Sequence, residues 1–297
     1  MNKTPEEKNN DEKLEKKEII PSYIVPDSFK LKYLLNLCDE LKNEINKYKP
    51  LKEDLWQTIQ DKLMIDWTYH SNAIEGNTLT RGETGFFLQY GLTVAGKPLK
   101  DFLEVKNHAD AIEYLFEIVK DERPIGTSLI KELNKLLLSG ITYTKALNQF
   151  GDIVKKPARA GEYKLLLNHV LQPDGTIHYY VEPYSVPVEI DYLCKWINEN
   201  TLNIHPLIVG TIAHYNFVRI HPFDDGNGRG ARLLMNLILM KEKYPPSVIR
   251  NENRKDYIEA LIECDNGNIS KFIEFVGESL VKTQEIILDD LKKFSKI

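Results

Sequence analysis

The chain has 297 residues, 42% hydrophobic and 28% charged, and its 39 Lys and Arg against 44 Asp and Glu leave a net charge of −5. A chain of this size can bury about three quarters of its unfolded surface, so it needs neither disulfides nor a structural metal to hold a core. Without a basic excess or a polybasic run, nothing in it supports nucleic-acid binding through phosphate neutralisation.

Residues 1 to 18 carry six acids and five lysines, and after Met1 only Leu14 is a sizeable apolar side chain. Such a segment cannot bury enough surface to offset its ordering entropy, so a disordered tail over residues 1–26 is expected. It has no apolar stretch that would serve as a secretory signal. The longest apolar runs of the chain fall far short of the ~20 residues that span a membrane. A cytoplasmic location with no membrane contact is therefore expected. Cys38, Cys194 and Cys264 are isolated, odd in number and lack C-x-x-C spacing. That pattern gives neither a disulfide framework nor a zinc site.

From Asp27 the pattern is helical. Leu31, Leu34, Leu35, Cys38 and Leu41 recur every three or four residues, and Leu51, Leu55, Ile59, Leu63 and Trp67 continue the period. Residues 110–119, 128–138 and 188–197 repeat it. Residues 206–218 form a helix with Pro206 suited to its first turn. The strongly apolar run Leu233 to Met240 marks a central helix, and residues 254–264 and 269–290 supply the last ones. Strand signals are sparse. Between Lys164 and Val181, two extended runs flank Pro173-Asp174-Gly175, where Pro presets φ and Gly accepts φ > 0, so a hairpin is expected there. The chain is expected to be all-α, with one small β-hairpin.

The richest stretch is His221-Pro222-Phe223-Asp224-Asp225-Gly226-Asn227-Gly228-Arg229-Gly230-Ala231-Arg232. A side-chain-poor loop, Gly226-Asn227-Gly228, leads straight into a helix, and its N–H groups with those of the first turn form an anion cradle. Asp225 is placed to hold a Mg²⁺ that bridges phosphates. Arg229 and Arg232 are three apart and can face one ligand. Cations at a helix start oppose the helix dipole unless an anion lies between them, and a polyphosphate fits best. His221, one loop away, is a titratable group able to take a proton from a hydroxyl nucleophile.

This stretch resembles the signature of the Fic (Fic/DOC) family, H-P-F-x-[D/E]-G-N-G-R-x-x-R, at every specified position from His221 to Arg232. The lead-in Ala213-His214-Tyr215-x-Phe217, the later Tyr257-x-x-Ala260-Leu261 and Gly267-Asn268 extend the similarity over most of residues 70–280. The resemblance implies a protein adenylyltransferase that moves AMP from ATP to a Ser, Thr or Tyr hydroxyl of a protein, with ATP as substrate and Mg²⁺ as cofactor. It implies that His221 is the general base and Asp225 the metal ligand. Gly226, Asn227 and Gly228 would form the anion hole, and Arg229 and Arg232 would bind phosphate. Nucleoside contacts would come from Tyr257 and the neighbourhood of Asp265, where relatives often carry an Asn. The 164–181 hairpin would be the flap that takes the protein target as an added strand. Lys164 stands where the family often has Arg. A homodimer is compatible with the resemblance.

Upstream, Ser71-Asn72-Ala73-Ile74-Glu75-Gly76-Asn77 puts Ser71 and Glu75 on one helix face. Gly76 ends that helix, and a glutamate at a helix C-terminus is unfavourable for the dipole, which points to a cationic partner. The segment resembles the Fic inhibitory motif [S/T]-x-x-x-E-[G/N], by which Glu75 would pair with Arg232 and misplace ATP. The resulting domain plan is a tail at 1–26, a helical region with the inhibitory helix at 27–120, and the catalytic core at 121–297. Two alternatives stand beside adenylyl transfer. One is removal of AMP by a phosphodiesterase that uses Glu75. The other is a catalytically silent nucleotide- or peptide-binding module, against which an intact His221 argues.

Overall fold

The computed structural model describes residues 23–26, 29–49, 53–147, 152–167, 169–171 and 177–294. Among these, the helices run in order α1 (Phe29–Asn46), α2 (Glu53–Ile74), α3 (Arg81–Tyr90), α4 (Leu99–Lys120) and α5 (Thr127–Leu137), then α6 (Val186–Asn200), α7 (Pro206–Ile220), α8 (Asn227–Lys241), α9 (Arg254–Asp265) and α10 (Ser270–Phe294). Two antiparallel pairs are present, β1 (Tyr143–Leu147) with β2 (Ile153–Pro157) and β3 (His169–Leu171) with β4 (Ile177–Tyr179).

The centre is the antiparallel pair α7–α8, as the apolar run Leu233 to Met240 leads one to expect. Every residue of that run is buried, and α7 is buried on nearly all sides. A helix that is apolar all round belongs inside a core. Each fully buried Leu or Ile there contributes about 1.5–3 kcal/mol. The helix α6 packs on α7, α4 and α5 pack on α8, and α1 lies along α10. Ile45, Ile59, Ile287, Leu288 and Leu291 form a smaller cluster that ties α1 and α2 to α10.

Three features go beyond the sequence expectation. The helix α3 has a capping box, in which the Thr80 side chain accepts from Glu83 N and the Glu83 carboxylate accepts from Thr80 N, and Gly91 closes it in the left-handed conformation. The helix α4 starts at Leu99 rather than near residue 110, because its first half buries Asp101, Glu104, Asn107 and His108 among the apolar residues and so masks the period. The β1–β2 pair is also new, with Tyr143 opposite Pro157 and Leu147 opposite Ile153.

The expected hairpin is paired in the register His169–Tyr179, Val170–His178 and Leu171–Ile177, while its turn at 173–175 lies outside the described residues. Residues 1–22 of the expected tail also lie outside them. At the tail's end, Tyr23 packs edge-on against Tyr192 at 5.0 Å and beside Trp196 at 5.2 Å, so it belongs to the packed body. No helix among the described residues is long and apolar enough to cross a membrane.

Candidate active site

The loop between α7 and α8 is built by its own backbone. At the end of α7, His221 takes a left-handed conformation (φ 50°, ψ 61°) and its N–H still bonds Phe217 O at 2.9 Å. A non-glycine residue seldom adopts that geometry. The chain then turns through Gly226 (φ 79°) into the first turn of α8. Asn227 braces the loop across itself, with Oδ1 accepting from Phe223 N at 2.9 Å and Nδ2 donating to Phe223 O at 2.8 Å. Its side-chain amide is therefore committed to the loop itself.

A second asparagine holds the loop from outside. Asn134 of α5 donates to Asp225 O at 2.9 Å and accepts from Gly161 N at 2.9 Å, linking the loop to the segment before β3. The buried Asp224 carboxylate pairs with Lys156 of β2 and with Arg159, each at 2.8 Å. Neither Asn134 nor Asp224 was marked by the sequence reading. Their signal was weak, since one is a lone polar residue in a helix and the other fills the unspecified position of the motif.

The two arginines of α8 are in different states. Arg229 is 2% exposed, and its contacts to Glu104 (3.5 Å) and Asp225 (3.4 Å) are at the long end of an ion pair. Its Nε and Nη1 are buried without a hydrogen bond. A buried donor left unbonded is costly, so this guanidinium suits an anionic ligand. Arg232 is already engaged. Its Nε donates to Ser71 Oγ at 3.0 Å, and its Nη2 donates to Ser71 O at 2.8 Å and to Glu75 Oε1 at 2.7 Å. The dipole argument asked for a cationic partner to Glu75, and Arg232, 157 residues away, supplies it. The end of α2 is held further by Arg254, whose Nε donates to Ile74 O at 2.9 Å, a contact the sequence did not signal.

Gly228 is what lets the carboxylate in. A Cβ on Gly228 would stand 2.3 Å from Glu75 Oε1 and 3.3 Å from Arg232 Nη1. A side chain there would displace the Glu75 carboxylate from its present place against Arg232.

His221 is half-buried, and its ring stacks on Tyr180 with centroids 3.8 Å apart and planes 21° apart. Burial first, and then the Lys164 ammonium, push its pKa down to about 3. Its imidazole is thus neutral at ordinary pH.

Asp265 lies at the end of α9 between Tyr215, whose OH donates to it at 3.1 Å, and His178 of β4 at 3.5 Å. It therefore faces the flap. Tyr257 lies beside Arg232. It is 2% exposed, with its OH 3.0 Å from His214 Nε2 and accepting from Arg232 Nη1 at 3.4 Å. Its OH thus backs the Arg232 guanidinium.

Two more histidines, His108 and His214, lie fully buried beneath these arginines. Burial, then the charge of Arg232, holds both well below the ordinary 6.5. Below pH 6.5 the unfolded chain binds protons that the folded chain refuses. This contribution to stability is therefore complete above pH 6.5 and lost as pH falls. Each group opposes folding progressively more as pH falls below that point. Thermal unfolding followed from pH 8 to pH 5 should show a Tm that declines below pH 6.5, whereas a Tm that stays level or rises would contradict the neutral assignment.

Residues 124–239 match the model of the Fic/DOC family. The chain is 32% identical over 223 residues to the protein adenylyltransferase Fic of Nematostella vectensis, covering 74% of this chain and 48% of that protein. It is 32% identical over 215 residues to the protein adenylyltransferase fic-1 of Caenorhabditis elegans, covering 71% of this chain and 39% of that one. The chain thus spans about half the length, or less, of these curated relatives. Among solved structures, a Fic-domain signaling protein from Bacteroides thetaiotaomicron superposes with a TM-score of 0.77 at 31% identity, covering 86% of this chain and 97% of that one. A structure of C. elegans Fic-1 superposes with a TM-score of 0.75 at 27% identity, covering 89% and 73%.

Proposed function

The chain belongs to the Fic/DOC family, and on that premise we propose that it is a protein adenylyltransferase whose isolated form is restrained by Glu75. The reaction moves AMP from ATP to a Ser, Thr or Tyr hydroxyl of a protein and releases pyrophosphate. The observation that carries this reading is the pair of arginines on α8. Arg229 has buried donors without bonds, and Arg232 has all its strong bonds taken by Ser71 and Glu75. One suits a phosphate as it stands, and the other becomes available when Glu75 leaves.

Each step then falls to a residue in place. The neutral imidazole of His221 accepts the proton of the target hydroxyl as the oxygen attacks the α-phosphate and pyrophosphate departs. Negative charge from bound polyphosphate raises the imidazole's proton affinity from its depressed value, which favours that transfer. The N–H groups at the start of α8 face the charge that builds on the phosphate oxygens. They are fixed beforehand by the Asn227 and Asn134 bonds, so little reorganisation is needed. Arg229 binds phosphate beside them, and Arg232 takes the terminal phosphate.

The residues present also fit magnesium. Asp225 Oδ1 accepts from Gly226 N at 2.6 Å, which orients the carboxylate. Mg²⁺ is commonly held by one or two carboxylates together with substrate phosphates, and Asp225 offers one such carboxylate. When bound at Asp225, the ion would neutralise part of the phosphate charge. The β3–β4 hairpin is the element to which a target segment would add as a strand, with backbone bonds giving affinity and little sequence demand.

ATP labelled at the α- or the γ-phosphate distinguishes this chemistry from phosphate transfer. With Glu75→Gly as the enzyme, protein-bound label should come from the α-position alone. Label retained from the γ-position would assign phosphoryl transfer instead.

A further inference from the structure

Both roots of the β3–β4 hairpin close on His221. On the near side, Lys164 is 1% exposed; its backbone N–H donates to Pro222 O at 2.8 Å and its Nζ donates to Ile220 O at 3.2 Å. One residue thus grips the carbonyls on either side of the histidine. On the far side, Tyr180 follows β4 and lays its ring on the imidazole at 3.8 Å. The Lys164 ammonium stands 5.7 Å from the centroid of the same Tyr180 ring. Histidine in a left-handed conformation persists only where its surroundings over-determine it. A lysine is rarely buried so completely without a specific use for its charge and donors.

We propose that Lys164 and Tyr180 are positioning residues for the catalytic step, Lys164 fixing the backbone of His221 and Tyr180 fixing its ring. The hairpin that receives the target then also aims the base. This rests on His221 acting as the base in AMP transfer. Two plainer roles compete with it. Lys164 could simply cap the carbonyl end of α7, and Tyr180 could simply cover the imidazole as a lid. A cap changes stability but not the rate of folded enzyme, and a lid lowers activity when present.

The test uses the full chain in the Glu75→Gly background. Lys164→Met and Tyr180→Leu should each lower kcat by about tenfold or more, with the KM for ATP within about twofold. Lys164→Arg, which keeps the charge and donors, and Tyr180→Phe, which keeps the stack, should recover most of that rate. A kcat unchanged in Lys164→Met and Tyr180→Leu, a kcat that rises in Tyr180→Leu, or a loss confined to KM or to Tm would overturn the proposal. So would a failure of both conservative variants to recover activity.

A second measurement needs no turnover. In ligand-free protein with isotope-labelled histidine, the His221 ring-proton resonance, assigned by its loss in His221→Ala, should be shielded by the Tyr180 ring. It should keep its position in Tyr180→Phe and move downfield in Tyr180→Leu. An unmoved resonance in Tyr180→Leu overturns the stacking. An inactive Glu75→Gly parent with the expected shifts would instead count against the AMP-transfer reading alone. Should Lys164→Met not fold, the Tyr180 pair still decides the matter.

Discussion

Glu75→Gly should convert a nearly silent chain into one that transfers AMP. Arg232 is buried, and Glu75 holds its Nη2 at 2.7 Å while Ser71 takes its Nε. A triphosphate reaching for Arg232 must first break that carboxylate bond, and the carboxylate then stands beside the incoming phosphate charge. A charge-assisted bond of this kind is worth about 1.5–3 kcal/mol, which corresponds to about 10- to 150-fold in the population able to bind ATP productively. The Glu75 side chain is 39% exposed, so solvent screening argues for the lower half of that range. Removing it should leave the fold intact. Ser71 Oγ and O still accept from Arg232, Arg254 still caps Ile74 O, and a glycine after α2 removes an acid from the negative end of a helix dipole. Initial rates of label transfer from α-labelled ATP measure the effect, and equal rates in wild type and Glu75→Gly would remove the brake from the account.

His221→Ala in the activated chain should lose nearly all of that rate. A positioned general base contributes typically about 10²–10⁴-fold. The phosphate-binding groups stay where they are, because the loop is braced by Asn227 and Asn134 rather than by the imidazole. ATP affinity measured by calorimetry should therefore change by only a few-fold while turnover collapses. A variant that keeps its rate within about threefold would assign the base to another group.

The central features of the site were legible because they lie in one unbroken stretch. From His221 to Arg232 the residues that meet in space are neighbours in the chain, so helix periodicity and loop chemistry alone bring them together. The Glu75–Arg232 pair was legible only in part. An acid at the end of α2 is locally unfavourable and asks for some cation, but that the cation is Arg232 came from the resemblance to the inhibitory motif. What stayed hidden is support that arrives from far away. Asn134, Tyr180 and Arg254 each look like an ordinary polar or aromatic residue in its own segment, and each becomes specific only when α5, the β3–β4 hairpin or α9 is packed against the loop.

The same cause hid the first half of α4. Asp101 accepts from Thr78 N and Oγ1, and Glu104 accepts from Asn77 at 3.0 Å and approaches Arg229. These buried polar residues serve the loop after α2 and the arginine cradle, so they interrupt the apolar stripe that would have marked the helix. In α3 the signal was present but short. Thr80 and Glu83 are a capping box, and the ten-residue helix behind it shows too weak an apolar face to stand out alone.

Glu75 as brake and His221 as base can be tested in the same molecule. Intact mass spectrometry after incubation with ATP and Mg²⁺, in the presence of candidate target protein, compares wild type, Glu75→Gly and Glu75→Gly combined with His221→Ala. The expected result is a mass gain of one AMP, on the chain itself or on the target, with Glu75→Gly alone. An equal gain with wild type, or a gain that survives loss of His221, would contradict it.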